Sequence, residues 1–402
     1  MPRSTWHFCS PGRIVFGCGA IREIGPLAAR DGIKRPFVVT DVNLLRAGVV
    51  DRALESLREA GLEPAVFDGG QAEPSFACAE AAIDMAQAAG PDAVIGVGGG
   101  SNMDVAKIVS AVLAHRGTFQ DYLGFDRVPG PVLPLIAVPT TSGTGSEVSH
   151  AAVLTDQDNA IKVSTLSPHL RPRLALVDPE LTYSCPPRVT ADSGMDALTH
   201  AVEALTATEF GEIERGVGEL TAYEGKSPLP DLLAEEAIRL IGRHLRTLAS
   251  DPDDVAARVG MSQAALYAGM AFSNAAVALV HAMEYPLGGA VHCSHGAGNG
   301  MLLPHVMRYL LPARTREYAR VAACLGVDIS DDSENAAAEK AVEAVDRLRD
   351  ACGVPARIRE FGGRREQLPG FAVQAFAIKR LMTLTPRAVT EADILEVYER
   401  AF

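Results

Sequence analysis

Ala93-Val94-Ile95-Gly96-Val97-Gly98-Gly99-Gly100-Ser101-Asn102-Met103-Asp104 runs from an apolar, β-branched stretch through glycines into a segment with helical spacing that lasts to His115. The reading is a strand over 93–97, a glycine turn, and a helix over 102–115. Glycines lack side chains, so their backbone N–H groups approach an anion closely, and the helix N-terminus behind them adds partial positive charge. The same glycines also suit a plain tight turn. Ser101 serves equally as a helix cap or as a phosphate contact, because both use one hydroxyl. The strand–glycine–helix order favours the anion.

Outward from this stretch the N-terminal half repeats the alternation. Strands are expected over 36–40, 64–67, 135–139, 153–155, 162–164 and 175–177, with helices over 49–60 and 77–89. Such alternation implies βαβ units and a mainly parallel sheet covered by helices. After Cys185-Pro186-Pro187 the spacing becomes helical, over 190–206, 229–250, 253–270, 334–352, 372–383 and 390–401. The expected fold class is a Rossmann-like α/β N-terminal domain, residues 1–185, followed by an all-α C-terminal domain, residues 186–402. The stretch 210–230 reads as an insertion loop.

Composition sets the limits. The chain has 402 residues, 48% hydrophobic and 22% charged, which suits two or three folded domains at about 150 residues each and excludes disorder. Its 37 basic and 50 acidic side chains leave a net charge of −13. The basic footprint of a nucleic-acid binder is missing, and anionic membranes are disfavoured. The seven cysteines are dispersed without a C-x-x-C pair, as in a protein with reduced thiols. There is no apolar signal segment at the start and no apolar run of the ~20 residues a membrane helix needs. The expectation is a cytoplasmic protein whose partner is a small molecule.

Two further features bear on a dinucleotide. Asp41 ends the strand over 36–40, where a carboxylate can accept from an adenosine ribose and repel a 2′-phosphate, favouring NAD over NADP. An N-cap or turn role fits the spacing equally well. Pro139-Thr140-Thr141-Ser142-Gly143-Thr144-Gly145-Ser146-Glu147 follows a strand and offers many hydroxyl donors, though such composition also makes ordinary turns. The glycines come about sixty residues after Asp41, opposite to the Rossmann order, so the standard fingerprint is absent.

The helical half holds a metal-ligand pattern. Asp196 and His200, four apart, share one helix face. His281 and His295 are separated by Pro286, Gly288 and Gly289, which interrupt a helix and place the two histidines on separate elements. Three imidazoles and a carboxylate suit Fe(II), Zn, Mn or Co. A helix-surface hydrogen bond for the Asp/His pair, and a packed core histidine at His281, are the plain alternatives.

Together these segments resemble the iron-containing (group III) alcohol dehydrogenases along nearly the whole chain. The likeness lies in Gly98-Gly99-Gly100-Ser101-x-x-Asp104-x-x-Lys107, in residues 139–147, in Asp178-Pro179-Glu180-Leu181-Thr182 with Gly194-Met195-Asp196-Ala197-Leu198-Thr199-His200, and in Val280-His281-x-Met283-x-x-Pro286-Leu287-Gly288 with His295-Gly296. The resemblance implies a dehydroquinate-synthase-like fold with a nucleotide domain and a metal domain flanking a cleft. It implies a metal at Asp196, His200, His281 and His295. It implies cofactor contacts at Asp41, Gly99, Gly100, Ser101, Asp104, Thr140, Thr141, Thr144 and Lys162. It further implies an NAD-linked, metal-dependent alcohol dehydrogenase or aldehyde reductase, assembled as a homodimer or larger oligomer. Two positions depart from the pattern. Tyr285 stands where many relatives have a histidine associated with proton transfer, and Glu73 where many have asparagine before Pro74. Tyr285 and His292 are the candidates for proton transfer. Residues 223–231 and Leu384-Thr385-Pro386-Arg387 are similar to hydroxyacid–oxoacid transhydrogenases, which act on substrates such as 4-hydroxybutyrate. Alternatives within the superfamily are a metal-free maleylacetate-type reductase and a non-redox lyase like dehydroquinate synthase. Filled ligand positions argue against the first, and few basic residues near them against the second.

Overall fold

A computed structural model describes residues 3–402 except Ala160, Arg215, Val217, Gly218 and Leu220, so the expected loop over 210–230 lies partly outside the described residues. The chain divides into two compact units. One is Cys9–Cys185, and the other is Pro186–Phe402 with the short segment ending at Phe8. The sequence boundary at 185 places that segment in the α/β domain, and the structure moves it to the helical unit. It joins the helical unit through an Arg3–Glu224 ion pair and through the His7 N–H, which donates to Glu224 Oε2 at 3.2 Å.

The α/β unit contains β1 (Arg13–Phe16), β2 (Pro36–Val39), β3 (Ala65–Phe67), β4 (Ala93–Gly98), β5 (Gly124–Phe125), β6 (Leu135–Pro139), β7 (Ala151–Asp156), β8 (Ile161–Leu166) and β9 (Leu174–Val177). Six of these form a sheet in the order β1-β9-β6-β4-β2-β3, with every pairing parallel. Alternation along the strands divides the core. Phe37, Val39, Val94 and Leu135 join one apolar cluster with the helices Phe76–Ala89 and Gly100–His115, while Val38, Ile95, Ile136 and Val138 join another with Ile24–Arg30 and Asp51–Glu59. A sheet buried on both faces reads as continuous apolar runs, which is why β2, β4 and β6 were visible in the sequence. β1 was not. It is an edge strand with exposed ends, and its Arg-Ile-Val-Phe carries a weak signal. The winding of the sheet reverses between β2 and β4, and ligands of open α/β sheets bind at the carboxyl ends beside such a reversal. β5, β8 and β7 form a separate small sheet.

In the helical unit, the helices Pro187–Thr206, Leu279–Val291 and His295–Leu310 carry the metal-ligand pattern. Pro186 caps the first, and Pro187 sits at its opening position, where a missing N–H costs nothing. One expectation is corrected here. Pro286, Gly288 and Gly289 do not interrupt the second helix, which runs on to Val291 and stops at His292. There a left-handed backbone (φ 52°) lets the His292 N–H donate to the Gly288 carbonyl at 2.9 Å. His281 and His295 still lie on separate helices. The expected helix over 372–383 is likewise two, Leu368–Ala377 and Lys379–Leu384, broken where Ile378 leaves helical geometry (ψ 68°).

Glycines bring the helices that carry the candidate ligands together. A Cβ on Gly296 would lie 2.1 Å from the Asp192 carbonyl oxygen and 3.1 Å from Asp196 Cβ, and one on Gly300 would lie 2.8 Å from Met195 Cβ. Two glycines four apart therefore form a bare ridge on which the Pro187–Thr206 helix rests. No described helix is long and apolar enough to cross a membrane.

Candidate metal centre and nucleotide cradle

Asp196 is buried, and its Oδ1 is the hub of the cluster. Nε2 of His200, of His281 and of His295 each lie 3.9 Å from that one oxygen. Ligand atoms of Asp196, His281 and His295 all fall within 4.8 Å of one another. A tetrahedral ion with bonds of about 2.1 Å draws its donors to about 3.4 Å apart, so a small contraction suffices. His200 sits at the edge of the group. Its ring stacks on Phe272 (centroids 4.1 Å apart) and on His281 (4.8 Å). Burial alone would raise the Asp196 carboxyl, but the three imidazoles and the Asn299 amide outweigh it and hold the group below its ordinary value.

Hydrogen bonds fix which nitrogens face inward. His281 Nδ1 meets Glu203 Oε2 at 2.6 Å, and His295 Nδ1 meets Glu284 Oε2 at 2.5 Å. Carboxylates only accept, so each Nδ1 carries the proton and each Nε2 turns a lone pair toward Asp196. Asn299 Nδ2 donates to Asp196 Oδ1 at 2.8 Å and lies 3.2 Å from both Nε2 atoms. An amide has two hydrogens and here faces three acceptors, while its own buried Oδ1 has no partner. A cation satisfies all three lone pairs at once. The residues present therefore fit a divalent metal.

Glu203, Glu284 and Asn299 escaped the sequence reading. Glu203 lies three residues after His200, and Glu284 three after His281, so helical spacing from the ligands was the signal available. Of the two proton-transfer candidates, Tyr285 stacks against His295 with centroids 6.0 Å apart, whereas His292 is an exposed turn residue. Burial raises the Tyr285 phenol above its ordinary value, keeping it protonated at neutral pH.

In the α/β unit, Gly99 caps the Gly100–His115 helix without any side-chain bond, leaving the first N–H groups of that helix open. Gly98 has φ +151°, and a Cβ on Gly100 would meet Thr144 atoms at 2.9–3.0 Å. The glycine turn and the Thr140 loop are adjacent because β4 pairs with β6, and the Thr140 N–H donates to the Gly98 carbonyl. A Cβ on Gly99 would sit 3.7 Å from Thr141 Oγ1. Ser101 Oγ donates to the Ala72 carbonyl at 2.5 Å.

Asp41 is an N-cap: its Oδ1 accepts from the Asn43 and Leu44 N–H groups at 2.9 and 3.1 Å. Its Oδ2 accepts from Asn102 Nδ2 at 2.8 Å, which ties the end of β2 to the cradle helix. Asp104 faces the Thr140 loop, with Oδ1 accepting from Ser146 Oγ at 2.6 Å and Oδ2 from the Val153 N–H at 2.9 Å. Lys107 is fully buried, bonded to Ser146, Ser149 and the Ala151 carbonyl. Asp104 and Lys107 thus pin the loop to the helix. Burial draws the Lys107 ammonium down to about 8 against the pull of Asp104 and Glu147, and pushes Glu147 up to about 7. Lys162 pairs with Glu73 at 3.3 Å, so the unusual Glu73 faces an expected cofactor contact.

An anion cradle at strand ends and a buried carboxylate–imidazole cluster are the two parts that a metal-dependent, nucleotide-linked oxidoreductase requires. The chain belongs to the iron-containing alcohol dehydrogenase family. Residues 11–179 match the family pattern described as iron-containing alcohol dehydrogenase, and residues 220–402 match the C-terminal pattern of the same family. The chain is 39% identical over 402 residues to long-chain-alcohol dehydrogenase 1 of Geobacillus thermodenitrificans, covering 98% of this chain and 97% of that one. It is 34% identical over 395 residues to the NAD-dependent methanol dehydrogenase of Bacillus methanolicus, covering 98% and 99%. The crystal structure of a 1,3-propanediol oxidoreductase superposes with a TM-score of 0.92 at 35% identity, covering 99% of this chain and all of that one. The protein is an NAD-linked, metal-dependent alcohol dehydrogenase.

Proposed function

We propose that the chain interconverts small primary alcohols and their aldehydes, with the metal held by Asp196, His200, His281 and His295. The observation that carries this reading is the convergence of three imidazole Nε2 atoms, each 3.9 Å from the buried Asp196 Oδ1. A divalent cation held by these residues would supply Lewis acidity toward an alcohol oxygen, and NAD bound at the cradle would supply a hydride acceptor. Phe272 and Tyr285, stacked on His200 and His295, give the surroundings of the ligands an apolar, aromatic character suited to a short carbon chain. Tyr285, protonated at neutral pH, holds a proton at its hydroxyl next to His295. His292, exposed on its turn, fits exchange with solvent better than contact with substrate.

The nucleotide reading rests on the open N-terminus of the Gly100–His115 helix. Backbone at Gly99, Gly100 and Ser101 cradles the pyrophosphate, and Thr140, Thr141 and Thr144 supply hydroxyls beside it. Asp41, which a carboxylate's spare lone pairs leave able to accept from a ribose, disfavours a 2′-phosphate. Lys162 adds a cation near the cofactor, and Asp104 positions the Thr140 loop. The nucleotide domain is residues 1–185 less its first eight, the metal domain 186–402, and the enzyme works as a cytoplasmic homodimer or larger oligomer. Anaerobic assay with NAD, Fe(II) or Zn(II) and a panel of short alcohols tests the reading. NADH formation with at least one primary alcohol is expected, and none with any would contradict it.

One observation favours a hydroxy acid as the alcohol. Arg380 bears electrostatically on the Tyr285 hydroxyl, and its buried Nε has no hydrogen-bond partner. A guanidinium beside the site suits a substrate carboxylate. Including 4-hydroxybutyrate and a keto-acid acceptor in the panel, with an Arg380→Met variant, decides between the two. A rise in KM confined to carboxylated substrates supports the acid reading, and an equal effect on all substrates contradicts it.

A further inference from the structure

Glu284 is fully buried, follows His281 by three residues on the same helix, and meets His295 Nδ1 at 2.5 Å. Space for its stem is built in. A Cβ on Gly298 would lie 2.8 Å from Glu284 Cγ, so the His295–Leu310 helix leaves its side open at that point. Neighbours along its own helix, including Met283 and Leu287, are apolar and buried. An ionised carboxylate in such surroundings is costly unless paired. Its pairing here runs through the imidazole.

We propose that Glu284 is a positioning residue for the metal, acting through His295. It locks the ring as the Nδ1–H tautomer, aims Nε2 at the Asp196 hub, and adds a negative charge one ring removed from the cation. The inference rests on the metal reading of the cluster. Glu203 shows what the arrangement does when shared with a structural task, because it serves His281 Nδ1 and also accepts the Val280 N–H at 2.6 Å. Asp196, Glu203 and Glu284 place three buried carboxylates around the imidazoles. A divalent ion therefore relieves like-charge repulsion as it binds, and Glu284 raises affinity for it.

Groups that orient metal-ligating histidines typically change metal affinity about 10- to 100-fold when removed. The test compares wild type, Glu284→Gln and Glu284→Ala by chelator-competition titration of Zn(II) and by the visible spectrum of Co(II)-loaded protein. NAD affinity and the melting temperature of metal-stripped protein are measured alongside. Glu284→Gln keeps the shape and loses the charge, so it decides the matter even if Glu284→Ala folds poorly. The expected result is a 10- to 100-fold weaker metal Kd in both variants, altered Co(II) bands, unchanged NAD affinity, and a metal-stripped melt for Glu284→Gln no lower than wild type. Metal affinity within twofold of wild type with identical Co(II) bands overturns the role of Glu284. A wild type that binds neither ion overturns the metal reading itself, and this inference with it.

Discussion

Asp196 Oδ1 gathers three imidazoles at one distance, so removing a single ring should cost the site its ion while leaving the fold largely alone. For His281→Ala, loss of metal retention and of activity is expected, with NAD affinity within about threefold, since affinity follows the contacts of a cradle built from other residues. Metal analysis with calorimetric NAD titration checks it, and full metal retention would contradict the assignment. A second prediction concerns His305, on the same helix as His295 but nearly three turns away. Burial pulls its imidazole from 6.5 down to about 4. Between those values the unfolded chain holds a proton that the folded chain refuses, so stability rises with pH across the window and is lost as pH falls from 6.5 toward 4. Denaturant titrations from pH 4 to 7 should show a shallower acid limb for His305→Gln than for wild type. Equal slopes would contradict the buried, neutral state. At this scale the sequence offered the candidate ligands, because Asp196 and His200 at helical spacing, with two further histidines, are visible as chemistry. It did not disclose Glu203, Glu284 or Asn299. A carboxylate or amide gains such a role only from what the fold places against it, and Glu is among the commonest residues on helix surfaces.

At the level of elements, bare backbone does the work in both units. Gly100 lies against Thr144, so a larger side chain must displace the loop that flanks the cradle. Gly100→Val is expected to weaken NAD binding at least about tenfold, equivalent to about 1.4 kcal/mol, with metal content unchanged. Calorimetry and metal analysis on one preparation test this, and unaltered NAD affinity would contradict it. The glycine run was legible because it follows an apolar strand and opens a helix. The ridge of Gly296 and Gly300 was not, since two glycines four apart do not announce which helix rests on them. Pro286 misled for a related reason: proline usually ends a helix, yet this one continues to Val291 because packing outweighs the lost bond.

Across the whole molecule, the nucleotide cradle belongs to a sheet-based unit with two apolar clusters, and the metal cluster to a helical unit with one large core. Asp196, Glu203 and Glu284 are buried in that unit, so a cation bound among them is expected to stabilise it. Chelation should lower the melting temperature by several degrees, since an ion at a thousandfold excess over its Kd contributes about 4 kcal/mol. Restoring metal should recover the loss, and a melt indifferent to chelator would count against the coupling. The change from alternating β-branched runs to helical spacing near Pro186 was plain in the sequence, whereas the attachment of the first residues to the helical unit depends on the Arg3–Glu224 pair, which no local pattern reveals.

The most direct test is anomalous X-ray diffraction at the iron edge from crystals grown anaerobically with Fe(II). One peak per chain is expected, within about 2.3 Å of Asp196 Oδ1 and of Nε2 on His200, His281 and His295. A peak elsewhere, or one bound by these residues without His200, would contradict the four-ligand centre.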